Sequence, residues 1–528
     1  MRFIQILCGA GIGLLLTIPC VFSAENSVPS PLHPFETRSW TIPENSIDLL
    51  VFPLLQSHGI EPSLPSSDEI FIRRAYLDII GTLPSPAETL AFLANQSEDK
   101  RISLIDTLLS REEFADYWSL KWADILRMKA EFPINLWPNA VQAYHRWVRD
   151  AIRNNMPYDQ FVRALLTSNG SNFRVPEVNF YRAVQTRTPS SLASAAALTF
   201  MGSRMKQWEE KKQTGCALFF SRISYKKSAE WKEEIVLCNP APATSTNAIL
   251  PDGKSITIPA DQDPRIIFAD WLISPQNPWF AKNIVNRVWF WLMGSPIIEG
   301  IDDIRPDNPP SNPELLAFLE KELVSSGYNL RHLYRLILTS RTWQQSSIPQ
   351  SSHPKARSLF AYYPVRRVEA EVLRDALFTI GKRGEEYMSP IPEPYTFVPE
   401  EQKNVLLADG SITSPFLELF GRPPRDTGLE SERNNTISDS QERYMLASTD
   451  IQRIITRSPL LQRIIRTARN RRDEIIRNYY LFILSRYPTE EEALIAAQYF
   501  QKPKLRIKEA ADDLAWVLIN SKEFLYRH

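Results

Sequence analysis

Apolar residues recur along most of this chain at three-to-four spacing, which predicts amphipathic helices over 137–154, 278–293, 313–325, 364–380, 440–456 and 471–486. Several helix starts are also marked. Ser85-Pro86-Ala87-Glu88 places a capping serine, a proline at the first helical position and a reciprocal glutamate ahead of Leu90, Phe92 and Leu93. Ser110 with Glu113, ahead of Phe114, Trp118, Trp122 and Leu126, and Thr489 with Glu492 repeat the pattern. At helical spacing Trp118 and Trp122, and Trp289 with Met293, read as core rather than as sugar-stacking surface.

The period changes after Cys216. Ala217-Leu218-Phe219-Phe220, Glu234-Ile235-Val236-Leu237, and Ser255-Ile256-Thr257-Ile258 behind a Pro251-Asp252-Gly253 turn read as short strands. Residues 384–412, rich in Pro and Glu, read as a long surface loop. The pattern therefore predicts a mainly α protein: two helical lobes, over 44–212 and 263–528, with a small β-containing connector over 213–262 between them. An internal echo is visible, which reads either as a shared plan for the two ends or as a convergent capping solution. Tyr76, Leu77, Ile79, Pro84, Ser85, Glu88 and Leu90 align without a gap on Tyr480, Leu481, Ile483, Pro488, Thr489, Glu492 and Leu494. The helix end Leu109 to Phe114 resembles Ile519 to Phe524, with Leu338 to Trp343 a looser third copy, each a polar stop followed by an aromatic plug.

The first residues carry a different signal. Arg2 precedes a run from Phe3 to Val21 that is apolar apart from Gln5 and Thr17, and small residues stand at Val21 and Ser23. This fits a secretory signal over 1–24 cut near Ser23 or Ala24, then an extended proline-rich linker over 25–43. It implies an exported protein of the periplasm, cell surface or medium. No later segment is apolar for the roughly 18 residues a membrane helix needs, so no span is expected after signal removal.

At 528 residues the chain exceeds what one hydrophobic core usually serves. Its 61 basic and 61 acidic residues cancel, and no polybasic cluster is expected, which argues against a nucleic-acid binder. Cys8 and Cys20 leave with the signal, so the mature chain keeps Cys216 and Cys238, which could form a disulfide after export or remain two buried thiols.

Phosphate-loop, zinc-helix, nucleophile-elbow and Cys-x-x-Cys-His haem sequences are all absent. The six histidines have no ligand spacing, so neither a metal nor a haem is expected. Three clusters pair arginine with carboxylates. One predicted helix carries Arg366, Arg367, Glu369, Glu371, Arg374 and Asp375, with Arg367, Glu371 and Asp375 spaced to share a face. Asn286 and Arg287 precede Asp302 and Asp303, and Arg422 and Arg425 precede Glu430, Glu432 and Arg433. Such groups can serve a glycosidic bond as acid and base, or can form a buried ion-pair network that clamps helices together.

These residues also carry a resemblance. Phe71-Ile72-Arg73-Arg74-Ala75-Tyr76-Leu77-Asp78, Leu108-Leu109-Ser110, Trp118, Trp122-Ala123-Asp124 and Asn155-Met156-Pro157-Tyr158-Asp159-Gln160-Phe161 resemble the domain of unknown function numbered fifteen forty-nine, abundant in exported planctomycete-type proteins. Asp263-Pro264-Arg265, Asn277-Pro278-Trp279-Phe280-Ala281, Asn286-Arg287-Val288-Trp289, Asp302-Asp303, Arg366-Arg367-Val368-Glu369-Ala370-Glu371 and Arg374-Asp375 resemble its usual partner, numbered fifteen fifty-three. The similarity spans roughly residues 45 to 525 and implies architecture and compartment rather than a reaction. Many relatives carry a Cys-x-x-Cys-His sequence soon after the counterpart of Phe200-Met201-Gly202. Here Ser203-Arg204-Met205-Lys206-Gln207-Trp208 stands in that place, so the resemblance implies no covalent haem.

The resulting expectation is a binding or structural module of the cell envelope or medium, taking a protein partner or a glycan in the groove between the lobes. Two alternatives stay open: a polysaccharide hydrolase using Asp302, Asp303, Glu371 and Asp375, and an electron-transfer accessory without its own haem.

Overall fold

Capping decides where the helices begin. The Ser85 hydroxyl accepts the Glu88 amide at 3.2 Å while the Glu88 carboxylate accepts the Ser85 amide at 2.8 Å, which opens the helix Pro86–Ala94. Thr489 and Glu492 repeat this reciprocal pair before the helix Glu490–Phe500. The box expected at Ser110 does not form. Ser110 is the last residue of the helix Lys100–Ser110 and donates to the Thr107 carbonyl at 2.7 Å, while Glu113 is taken by Arg111 at 2.7 Å.

In the computed structural model, which describes residues 33–240 and 244–528, the long periodic segments are helices at Pro138–Arg153, Phe280–Met293, Pro313–Ser325 and Arg472–Leu484. The expected signal, its cleavage point and the first part of the linker lie outside the described residues. The helix expected over 364–380 starts only at Ala370, because Arg366 and Arg367 pair antiparallel with Tyr526 and Arg527 in a two-stranded ribbon. Arg367 therefore does not share a helix face with Glu371 and Asp375. The segment 440–456 breaks into Asp439–Ala447 and Thr449–Arg457, where the Ser448 hydroxyl caps the second helix by accepting the Asp450 amide at 3.0 Å.

The connector holds small sheets, but Ala217-Leu218-Phe219-Phe220 is not a strand. The helix Glu210–Ala217 runs into the 3₁₀ turn Leu218–Phe220, which buries Phe219 and Phe220. A short apolar run fits a buried helix end as well as a strand, so periodicity alone could not separate them. The observed strands are Ile223–Lys227 and Glu234–Cys238, an antiparallel pair to which Gly170–Ser171 adds, and the separate hairpin Thr246–Ile249 with Ser255–Ile258. Cys216 and Cys238 are both free thiols, so the pairing left open by the sequence is not made.

The fold is mainly α, and residues 34–528 pack as one compact unit. Helices from before and after the connector share one hydrophobic core. Trp118 and Trp291 meet with ring centroids 5.4 Å apart, and Trp118 and Tyr334 at 4.4 Å. The echoed segments also touch: an Arg73 guanidinium on the helix Asp68–Ile79 donates to the Ile483 carbonyl at 3.1 Å. The aromatic plugs Phe114, Trp343 and Phe524 are all buried. Among the described residues no helix is long and apolar enough to cross a membrane.

Candidate functional site

The arginine–carboxylate clusters converge on a buried centre whose hub is Asp124, on the helix Glu112–Ile125. One Asp124 oxygen accepts from Arg425 at 2.8 Å, and the other accepts from two Arg433 nitrogens at 2.9 and 2.8 Å. Arg433 continues to Glu371 with a two-pronged contact at 2.7 and 3.0 Å, and Arg422 lies 3.4 Å from the same carboxylate. All these side chains are buried or nearly so. Burial is the largest influence on Glu371 and pushes its pKa up, yet Arg433 and Arg422 override it and hold the carboxyl at about 2. Burial dominates at Arg422 itself and brings the guanidinium down to about 10.

A second knot adjoins this one through Glu369, which takes Lys121 at 2.5 Å, the Tyr117 hydroxyl at 3.2 Å and Arg527. Burial would raise the Glu369 pKa, but Arg527 and Lys121 hold it well below the usual carboxylate range. Arg527 also reaches Asp78 at 3.4 Å, and Asp78 accepts from the Tyr363 hydroxyl at 2.8 Å and from Trp343 at 3.2 Å.

The remaining candidates are engaged separately. Arg287 pairs with Asp302 at 2.6 Å and donates to the Thr199 carbonyl at 2.7 Å, while Asn286 ties down the backbone of Ile297 and Ile298. Asp303 pairs with Arg305 at 3.0 Å. Arg374 takes Asp450 at 2.7 Å and also Glu385. Arg367 reaches no carboxylate and donates instead to the carbonyls of Phe420, at 2.5 Å, and Asn434, at 3.0 Å. Glu432 accepts the amides of Asp426 and Thr427 at 3.2 and 2.8 Å. Asp375 differs in accepting only neutral donors: the Asn404 amide at 2.7 Å, its side chain at 2.8 Å and the Val405 amide at 3.2 Å. Burial outweighs these bonds and lifts the Asp375 carboxyl to about 6. Among the described residues no group of three or more His, Cys, Asp or Glu is placed to hold a metal ion.

Beside an open hollow of about 290 Å³ lined by Asp106, Ser110, Asn155, Asn329, His332 and Arg335 lies a narrow cleft lined by Phe114, Trp118, Trp122, Tyr158, Arg331 and Tyr334, with about 30 Å³ of free space. That holds a water or two, not a sugar ring. The surface offers a different feature. Trp137, Trp231 and Tyr395 come from three segments far apart in sequence and meet in one aromatic cluster, with centroid separations of 4.7, 5.4 and 5.6 Å. Trp231 is 58 % exposed and Tyr395 47 %. Their rings are tilted by 49 to 78° rather than stacked flat, so edge packs on face in an aromatic cup from which Trp231 and Tyr395 stand out into solvent. The Lys232 ammonium lies 4.7 Å from the centre of the Trp137 ring. Asp409 positions the Trp137 turn from below by accepting the Ala130 amide at 2.9 Å, and Trp137 itself adopts φ 73°.

Residues 46–216 match the family described as protein of unknown function (DUF1549), and residues 264–500 match that described as protein of unknown function (DUF1553). The chain belongs to the family in which these two domains are paired. Searches of curated proteins and of solved structures each found no match. In this paired-domain protein the buried centre is built across the two matched segments, since Asp124 and Lys121 lie in the first and Glu369, Glu371, Arg425 and Arg433 in the second. Sequence reasoning named the second set but missed Asp124, Lys121, Asp78 and Arg527 as partners. It also missed the aromatic cup, for which the long loop at 384–412, the source of Tyr395, was the one available sign.

Proposed function

We propose that this chain is an exported binding module of the cell envelope or medium, and that its ligand is a glycan held at the Trp137, Trp231 and Tyr395 cup. The exposure of Trp231 and Tyr395 beside the half-buried Trp137 ring is the observation that carries the reading. Large aromatic side chains left in water, brought together by three separate loops, are uncommon on a surface with no partner. Sugar rings present apolar C–H faces that lie on such rings, while their hydroxyls reach groups like the Lys232 ammonium and the Tyr395 hydroxyl. The carboxylates support a structural role, because buried Glu371 and Asp302 and the part-exposed Asp303 are each spent on an arginine, and buried Asp375 is spent on Asn404 and Val405. Export is supported by the apolar run behind Arg2.

A glycan array probed with the mature chain tests the reading, beside the variant Trp231→Ala/Tyr395→Ala. The variant is expected to lose about tenfold or more in affinity, as removal of central aromatic anchors commonly does. No array signal, or equal signal from variant and parent, defeats it; retention of a protein from an envelope extract in place of a glycan would reassign the cup. N-terminal sequencing of the secreted product should begin near Ala24 or Glu25.

A further inference from the structure

A second surface feature shares no residue with the aromatic cup and does not depend on it. The helices Thr449–Arg457 and Pro459–Thr467 turn Ile451, Ile454, Ile455 and Leu461 into the protein. Their outer side carries Arg453, Arg457, Arg463 and Arg466, and the following turn adds Arg469, Arg471 and Arg472. All seven are exposed, and the stretch 453–472 holds no aspartate, glutamate or lysine. This corrects the expectation that the chain has no polybasic cluster: the zero net charge of the whole had concealed it.

The arginines are not spent on ion pairs. Among the described residues only Arg471 has one, to Glu474 at 2.6 Å on an open surface. Arg457 and Arg466 favour the C-terminal ends of their helices, which accounts for two of the seven. Spacings of four at 453 and 457 and of three at 463 and 466 set like charges side by side, which mildly destabilises a helix. The ridge is held firmly. The Ser458 hydroxyl between the helices donates to the Ile380 carbonyl at 2.6 Å, and Gly381 lies so close to Ile454 that a Cβ there would meet its side chain at 2.9 Å.

We infer that this ridge docks an acidic polysaccharide, whose uronate or sulfate groups are gripped by the arginine forks. Three observations favour that occupant. The cations are arginines throughout, whose planar guanidinium matches carboxylate and sulfate with two parallel hydrogen bonds where lysine offers a point charge. They run along two consecutive helices, a track suited to a linear polymer with repeating charges. The first helix buries Ile451, Ile454 and Ile455 and the second Leu461, with Leu460, Ile464 and Ile465 only part-exposed, so little apolar surface is offered to a lipid, and the stretch 449–472 has no aromatic ring on which a base could stack.

Binding of the mature full-length chain to heparin, polygalacturonate, duplex DNA and vesicles containing phosphatidylserine is compared at low and moderate salt. The expected result is binding to heparin or polygalacturonate that weakens steeply with salt. The triple variant Arg463→Gln/Arg466→Gln/Arg469→Gln should reduce it about tenfold or more, as loss of three contacts to a polyanion would. Arg146→Gln/Arg357→Gln, exposed positions outside the ridge, should leave it within about twofold, which separates a docking track from diffuse attraction. Circular dichroism confirms that both variants are folded. Equal binding by the triple variant and the parent, no binding to either polysaccharide, or tighter binding to DNA or vesicles overturns the proposal. Trp231→Ala/Tyr395→Ala is expected to leave heparin retention intact, so failure of the cup and failure of the ridge are read apart.

Discussion

Arg433 and Arg466 are the same residue in opposite circumstances. Arg433 is buried and spends its guanidinium on Asp124 and Glu371, whereas Arg466 stands in water beside other arginines with no carboxylate in reach. In the interior each guanidinium must be answered, because an unpaired charge out of water is far more costly than a pair. On the surface water answers it, so a run of unanswered arginines is stable enough to persist and is free for a partner. Pairing in the centre thus reports on folding, and its lack along the ridge reports on recognition.

The comparison breaks most readily at the hub. Asp124→Ala leaves Arg425 buried without a carboxylate and Arg433 with Glu371 alone, and should destabilise the protein by about 3–5 kcal/mol in urea or thermal unfolding; a loss below about 1 kcal/mol would mean that the centre is not a clamp. Asp375 sharpens the picture through pH. The Glu371 carboxyl is held at about 2, below its unfolded value near 4.3, so its stabilisation is complete above that value and is lost as pH falls toward 2. Asp375 has the opposite sign. Its carboxyl at about 6 lies above the unfolded value near 3.9, so this group adds stability as pH falls from about 6 to about 4, by at most about 3 kcal/mol. Asp375→Asn should therefore flatten that part of the stability profile, measured as urea midpoints between pH 4 and 7, and an unchanged profile would count against a protonated Asp375. The smallest effect belongs to the ridge. Arg453→Gln or Arg466→Gln should shift stability by no more than about 0.5 kcal/mol, since neither side chain has an ion pair to lose.

Legibility followed the range of the interactions. The boxes at Ser85 and Thr489 could be read because donor and acceptor lie three residues apart. The box at Ser110 failed because Ser110 still belongs to the preceding helix, where its hydroxyl turns back to the Thr107 carbonyl, and Glu113 is held by Arg111. Arg366 and Arg367 were placed on a helix because their apolar neighbours fit its period, and nothing nearby revealed that residues 526–527 would claim their backbone. For the centre, Glu371 and Arg433 could be flagged by local charge density, but Asp124 is 309 residues from Arg433 and has no local mark of its role. The ridge was in plain view. Summing charge over the whole chain averaged it away, and a window of twenty residues would have found it.

Arg527 has a consequence for how the molecule comes into being. It is 2 % exposed, and its partners Asp78, Tyr117 and Glu369 were all laid down earlier in the chain, Tyr117 by 410 residues. A polypeptide emerging from its N-terminus therefore carries half-built contacts until this one side chain arrives to close them like a clasp. Either of the two matched segments made by itself would be left holding one side of that clasp, and should be recovered as a poorly folded fragment rather than as a free-standing domain.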